Sequence, residues 1–334
     1  MYSSRSYDRS SFAETAAARP GPQHRFRFVQ DRLTAETASF AAGCEAVCAF
    51  VNDDLGAAVL ELLHEQAIRH VALRSAGYNH VDLQAAAALG ISVVTVPAYS
   101  PNAVAEHTIA LILAANRHIP RAYERVRNRN FSLEGLVGFD LIGKTVGVVG
   151  AGKIGALVAR LLWHFGCRVL VADPSVDREL VALGVEYVAL DDLWPHCDII
   201  SLNAPLLPST YHLVNEATIA RCKLGFMLVN TGRGPLVHTA AVIEALKSGQ
   251  IGSLALDVYE EEEPLFFEDR SDDILDDDVF ARLLTFPNVV ITAHLAFLTN
   301  EALAGIASIT MANLDDLAAG RPCANAVTAN PGPT

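Results

Sequence analysis

Thr145-Val146-Gly147-Val148-Val149-Gly150-Ala151-Gly152-Lys153-Ile154-Gly155 is the stretch on which the fold of this chain turns. Three glycines in the spacing GxGxxG follow a β-branched run and open a proline-free stretch that reads as a helix to Phe165. In such a strand-turn-helix the first glycine turns the chain and the second lets a diphosphate approach the backbone. The third lets helix pack on strand. The helix N-terminus offers unpaired N–H groups and a partial positive charge to the phosphates, so no basic side chain is required. With 22 glycines in 334 residues the spacing alone is weak, and its place between strand and helix carries the reading. Gly150, Gly152, Lys153, Ile154 and Gly155 are therefore candidate cofactor contacts.

The next strand, Arg168 to Ala172, ends at Asp173, 18 residues beyond Gly155. A carboxylate there accepts hydrogen bonds from both ribose hydroxyls and repels a 2'-phosphate, so NAD is expected rather than NADP. Standing before Pro174, Asp173 also reads as a turn residue. Further strands at Val146 to Val149, Ile199 to Leu202, Phe226 to Asn230, Ser253 to Asp257 and Val289 to Thr292 alternate with helices. That alternation implies a parallel sheet covered on both faces.

Upstream, Ala46 to Val51, His70 to Leu73 and Ser92 to Val96 outline a smaller α/β unit. Its first strand reads as cut short, since Met1 lies just ahead of the polar stretch Ser3 to Ser11. Ser100-Pro101-Asn102 opens an apolar helix to about Asn116, with Pro101 where its missing N–H does no harm. The acidic run Glu260 to Asp278 reads as a solvated loop, and a last helix follows His294 to about Ala319. The expected fold is α/β with two Rossmann-like, doubly wound domains. The NAD-binding domain, 99–295, is inserted in a discontinuous flavodoxin-like substrate domain, 1–98 plus 296–334.

A net charge of -13 repels polyanions, which argues against nucleic acid or an anionic membrane surface as partner. No uninterrupted apolar run reaches about 18 residues. The opening segment mixes Arg5, Asp8, Arg9, Glu14 and Arg19 with serines and alanines, so a cytoplasmic protein is expected. Six scattered cysteines without a CxxC read as reduced thiols, and no metal is expected. Arg121, Arg125, Arg127 and Arg129 are placed on one helix, as a solvated or intersubunit face.

Three more stretches lie at strand ends, where open α/β sheets carry their ligands. They are NTGRGPLV with Arg233, LDVYEEEEP with Asp257 and Glu262, and ITAHLAF with His294. Reducing a 2-oxo acid requires a cation for its carboxylate, a proton donor for its carbonyl oxygen, and a carboxylate that keeps the donor charged. Arg, His and Glu supply these. Singly, each has a plainer reading: Arg233 as a surface ion-pair partner, Glu262 as part of a solvated acidic run, His294 as a core histidine, Asp257 as a turn cap.

Jointly, these stretches resemble the active site of the D-2-hydroxyacid dehydrogenases. The resemblance extends over nearly the whole chain, including RSAGYNHVDL, VPAYSPNAVAEH and NFSLEGLVGFDLIGKTVGVVGAGKIG. DVYEEEEPLFFEDRSDDILDDDVF and HLAFLTNEAL are similar to the fermentative D-lactate dehydrogenase branch. It implies catalytic roles for Arg233, Glu262 and His294, and cofactor contacts from Ala204, Pro205, Thr210, Thr231, Gly232 and Asp257. It further implies a substrate pocket lined by Phe50, Tyr99 and Phe297, with the backbone N–H groups of Ala76 and Gly77 holding the substrate carboxylate beside Arg233.

The reaction so implied is reduction of pyruvate to D-lactate by hydride from NADH, with His294 as proton donor. A broader 2-oxo-acid or hydroxypyruvate/glyoxylate reductase is the neighbouring reading, and an NADH-sensing scaffold similar to the C-terminal-binding corepressors is the reading from another class. The resemblance also implies a homodimer or homotetramer, paired through the nucleotide domain and a helical arm around Tyr123 to Val137. One departure stands out: Asn203 in SLNAPL, where the family often has histidine. His80, His107 and His164 receive no role.

Overall fold

The computed structural model describes residues 1–19, 24–262 and 265–329. Its strands are β1 (Ala46–Ala49), β2 (His70–Leu73), β3 (Ser92–Val94), β4 (Thr145–Val149), β5 (Arg168–Ala172), β6 (Glu186–Tyr187), β7 (Ile199–Leu202), β8 (Phe226–Asn230), β9 (Ile251–Leu256), β10 (Val289–Ile291) and β11 (Ala326–Val327). The chain divides into two units, Met1–Ser100 with Leu298–Thr334, and Pro101–Phe297.

In the Pro101–Phe297 unit the sheet order is β10-β9-β8-β7-β4-β5-β6, with every pair parallel. From β4 the chain winds outward through β5 and β6, then returns to β7 and winds the other way. The reversal between β4 and β7 is the switch point at which doubly wound sheets bind ligands. Successive strand residues serve two cores. Val146, Val148, Ile199, Met227 and Ala255 pack under the helices Pro101–Asn116 and Lys153–His164. Leu170, Ile200, Leu228 and Leu254 face Trp194 and the helix Thr239–Ser248. A strand buried on both faces carries few polar residues, and those hydrogen-bonded, as Ser201 and Asn230 are, which is why these strands read as mainly apolar runs.

The other unit carries the order β1-β2-β3-β11, parallel except for β11, which runs antiparallel to β3. Val47, Val71, Leu73 and Val93 pack against the helices Ala57–Glu65 and Leu83–Ala88. On the opposite face Cys48 packs with Phe12, Ala307 and Met311, from the helices Ser6–Ala18 and Asn300–Ala318. Arg74 and Asp8 form a 2.6 Å ion pair inside this unit.

Several local expectations change. The stretch before Ser6 is not a regular strand: the Tyr2 N–H donates to the Cys48 carbonyl and the Ser4 N–H to that of Val29, but Ser3, at φ 47°, interrupts the extended run. Ser6–Ala18 is a helix. The helix carrying Arg121, Arg125 and Arg127 ends at Arg127, so Arg129, at φ 58°, lies beyond it. Arg125 donates to the Ser132 and Glu134 carbonyls, bracing the chain that follows. Glu263 and Pro264 of the acidic run lie outside the described residues. The rest of that run is not wholly solvated: Phe266 is buried in the core, and Glu260 accepts hydrogen bonds at both oxygens. No helix among the described residues is long and apolar enough to cross a membrane.

Candidate active site

Strand register lines up one edge of the seven-stranded sheet. Val149 pairs with Ala172 and Leu202, Leu202 with Asn230, Asn230 with Leu256, and Leu256 with Ile291. The next residue of each strand therefore stands on the same carboxyl edge: Gly150, Asp173, Asn203, Thr231, Asp257 and Thr292. Residues from widely separated stretches of sequence meet there because the hydrogen-bond ladder aligns the strand ends.

The glycine turn has the shape its spacing implies. Gly150 has φ +87°, and a Cβ on it would lie 2.7 Å from the Ala204 backbone. On Gly155 a Cβ would lie 1.9 Å from the Gly150 oxygen, the close approach of helix to strand. At Gly152, by contrast, nothing lies within 4 Å of a Cβ position, and no side chain caps the Lys153–His164 helix that starts beside it. An open backbone at an uncapped helix start fits a diphosphate. Lys153 and Ile154 are the first residues of that helix. Asp173 is fastened to the turn, accepting from the Ala151 N–H at 2.6 Å and from the Ser175 N–H at 2.7 Å.

The remaining cofactor candidates border this turn. Ala204 packs on Gly150, and Thr210 donates to the Pro205 carbonyl at 2.7 Å, folding the loop after β7 on itself. Asn203 accepts from Ser201 at 2.9 Å. The Thr231 hydroxyl meets that of Thr108 at 2.8 Å, and the Gly232 N–H donates to Asn230 Oδ1 at 3.0 Å.

Buried Asn230 also shapes the loop of Arg233, its Nδ2 donating to the Arg233 carbonyl at 2.8 Å. One residue on, a Cβ at Gly234 would lie 1.8 Å from the Tyr259 carbonyl oxygen. The Arg233 loop is thus pressed against the loop of Glu262. Glu262 Oε2 accepts from the Tyr259 N–H at 3.0 Å, and its Oε1 lies 2.7 Å from His294 Nδ1. A carboxylate only accepts, so Nδ1 carries a hydrogen and Nε2 is the imidazole nitrogen left for a substrate. His294 is held at φ 51°, where a non-glycine residue is strained. Its N–H donates to the Asp257 carbonyl at 2.7 Å.

Asp257, 1% exposed, binds the same loop through its side chain. Oδ1 accepts from Thr292 Oγ1 at 2.6 Å and the Leu295 N–H at 2.9 Å, and Oδ2 from the Ala296 N–H at 3.0 Å. Burial works against its charge, but hydrogen bonds from His107, Thr292 and Ala296 outweigh it and hold the carboxyl below the ordinary carboxylate range.

In the other unit Phe50 is buried, its ring 5.0 Å from the Arg74 guanidinium carbon. Ala76 and Gly77 follow β2 in a loop where Ser75 donates to the Gly77 carbonyl at 2.8 Å. Tyr99 is half-buried, its carbonyl 2.8 Å from a Cβ position at Gly305. Phe297, buried, is the last residue of the Pro101–Phe297 unit. Among the described residues no cluster of His, Cys, Asp and Glu could hold a metal ion.

The model of the D-isomer specific 2-hydroxyacid dehydrogenase NAD-binding domain matches residues 109–296. The chain belongs to the D-2-hydroxyacid dehydrogenase family. It is 50% identical to a D-lactate dehydrogenase of Escherichia coli over 97% of its own length and 98% of the relative's. Its structure is similar to that of a pyruvate reductase of Chlamydomonas reinhardtii, with a TM-score of 0.91, 44% identity and 97% of both chains covered. A D-lactate dehydrogenase of Aquifex aeolicus, solved with NAD and lactic acid, matches with a TM-score of 0.83 and 31% identity over 96% of this chain and 95% of that one. As a member of the D-2-hydroxyacid dehydrogenases the protein is an NAD-dependent oxidoreductase acting on a small 2-hydroxy acid.

Some residues of this D-2-hydroxyacid dehydrogenase site escaped the sequence reading. Asn230 shapes the Arg233 loop, and Phe267 sets its ring 5.7 Å from the His294 imidazole. His107 lies 3.0 Å from Thr292 Oγ1. The one signal available was a polar run, Glu106-His107-Thr108, in the middle of a largely apolar helix.

Proposed function

We propose that the enzyme reduces pyruvate to D-lactate, with Arg233, Glu262 and His294 as its catalytic residues. The observation that carries this reading is the 2.7 Å contact of Glu262 Oε1 with His294 Nδ1 at the sheet's carboxyl edge. Full-length likeness to D-lactate dehydrogenases supports the choice of substrate.

Bound NADH supplies the hydride. His294 gives the Nε2 proton to the substrate carbonyl oxygen, and Glu262 keeps the imidazole charged and turned the right way. Arg233 offers a forked donor to the substrate carboxylate. Asp173 and the open backbone around Gly152 hold the cofactor, with Ala204, Pro205, Thr210, Thr231 and Gly232 beside them. Asp257 serves that side by fixing the loop that follows β10. Phe50, Ala76, Gly77, Tyr99 and Phe297 are proposed as the residues that receive the substrate, apolar rings suiting a methyl group better than a phosphate.

The same proposal places the enzyme in the cytoplasm as a homodimer or homotetramer. Tyr123, Val126, Phe131, Leu133 and Val137 are 57–86% exposed, an apolar surface that supports pairing along this arm. The deciding experiment follows NADH absorbance on adding pyruvate to purified enzyme, then resolves the lactate chirally. Faster turnover of hydroxypyruvate or glyoxylate than of pyruvate, or L-lactate as product, would overturn the assignment.

A further inference from the structure

His107 lies on the Pro101–Asn116 helix, its side chain 18% exposed. Its Nε2 is 3.0 Å from Thr292 Oγ1 and 3.4 Å from Asp257 Oδ1. Thr292 has a single hydroxyl hydrogen, and the 2.6 Å bond to Asp257 Oδ1 takes it. The carboxylate accepts only. Nε2 must therefore carry the hydrogen, donating to Thr292 and toward Asp257.

What that donor supports is the strained turn at His294. Asp257 accepts the His294 N–H on its carbonyl at 2.7 Å, and the N–H groups of Leu295 and Ala296 on its carboxylate at 2.9 and 3.0 Å. A buried carboxylate needs its full set of donors to stay charged and fixed, and His107 is the member of that set contributed by another element of the unit. The catalytic imidazole, at φ 51°, relies on the over-determined loop around it.

We propose that His107 is a positioning residue of the reaction, holding through Thr292 and Asp257 the loop that presents His294. It does not touch substrate. This inference rests on His294 being the proton donor. Small displacements of a proton donor lower turnover steeply while leaving ground-state binding nearly intact.

The test is a double-variant cycle on the full-length enzyme. His107→Leu, which removes both ring nitrogens, lowers kcat about 10- to 100-fold, with the pyruvate KM and the NADH Kd within about threefold of wild type. His107→Gln, which retains an N–H donor, recovers most of kcat. In the His294→Ala background, His107→Leu lowers residual turnover by less than about twofold, because its effect runs through the missing imidazole. Thr292→Val, which keeps the shape and removes the bridging hydroxyl, repeats the pattern if His107→Leu fails to fold. Full turnover in both His107→Leu and Thr292→Val, an equal loss of NADH binding, failure of Gln to rescue, or multiplicative losses in the double variant would each overturn it. The reading of His294 fails separately, if His294→Ala turns over pyruvate at the wild-type rate.

Discussion

Gly234 and Tyr259 meet so closely that a Cβ on the glycine would lie 1.8 Å from the tyrosine carbonyl oxygen. Two loops that carry candidate catalytic residues, Arg233 on one and Glu262 on the other, touch backbone to backbone there. Gly234→Ala must push them apart. The variant is expected to lose about 1–3 kcal/mol of stability, read from denaturant midpoints, and to lose more kcat than NADH affinity. Wild-type kinetics in Gly234→Ala would show that the contact does not hold the site.

Glu262→Gln keeps the shape and hydrogen-bonding reach of the side chain beside His294 Nδ1 but removes its charge. The expected outcome is a fall in kcat/KM of about 10²- to 10⁴-fold, with NADH binding by fluorescence unchanged within about twofold. A parallel loss of NADH binding would make Glu262 a structural residue.

Asp173 accepts two backbone N–H groups, at Ala151 and Ser175. Asp173→Asn should therefore weaken NADH binding about tenfold, by giving up charge-assisted bonds, and admit NADPH by removing the repulsion of its 2'-phosphate. Comparing KM for the two cofactors checks this, and an unchanged preference for NADH would contradict it.

His80 titrates far from its ordinary range. Burial pushes its pKa down to about 4 from 6.5, and a hydrogen bond to the Phe50 backbone offsets only part of that. Above pH 6.5 both folded and unfolded chains hold a neutral imidazole, so nothing is lost. As pH falls from 6.5 toward 4 the unfolded chain takes the proton first, and stability drops by up to roughly 3 kcal/mol. His80→Asn is expected to flatten this part of the stability profile, measured as Tm between pH 7 and pH 4.5. Parallel profiles for the two proteins would count against it.

Phe131 and Leu133 are 73% and 81% exposed. On the proposed homo-oligomer, changing both to Asp is expected to lower the molar mass in light scattering to that of a monomer. A wild type already at the monomer mass, or an oligomer unchanged by the two substitutions, would count against pairing along this arm.

Much of this was legible in the residues alone. GAGKIG declares its turn because glycine is favoured where φ is positive, as at Gly150, and required where a Cβ would collide with backbone, as at Gly155. The parallel strands declare themselves because burial on both faces favours apolar side chains, and His70 to Leu73, Arg168 to Ala172, Ile199 to Leu202 and Phe226 to Asn230 were readable to the residue. The helix Ser6–Ala18 was not, since its residues are mostly polar or alanine and it is placed by packing against Asn300–Ala318 through Phe12. Glu260 read as one solvated acid among many, yet a histidine 48 residues earlier and the start of a helix claim it.

The sequence by itself determined the glycine turn, the strand ladder and the residue types of the site, because each is enforced within a short span of chain by sterics or burial. Only the tertiary structure decided how Asp257 is used. Its partners Thr292, Leu295 and Ala296 lie 35 to 39 residues away, and His107 lies 150 residues upstream. Strand register and helix packing bring those donors to one buried carboxylate, and that convergence holds His294 in its left-handed turn.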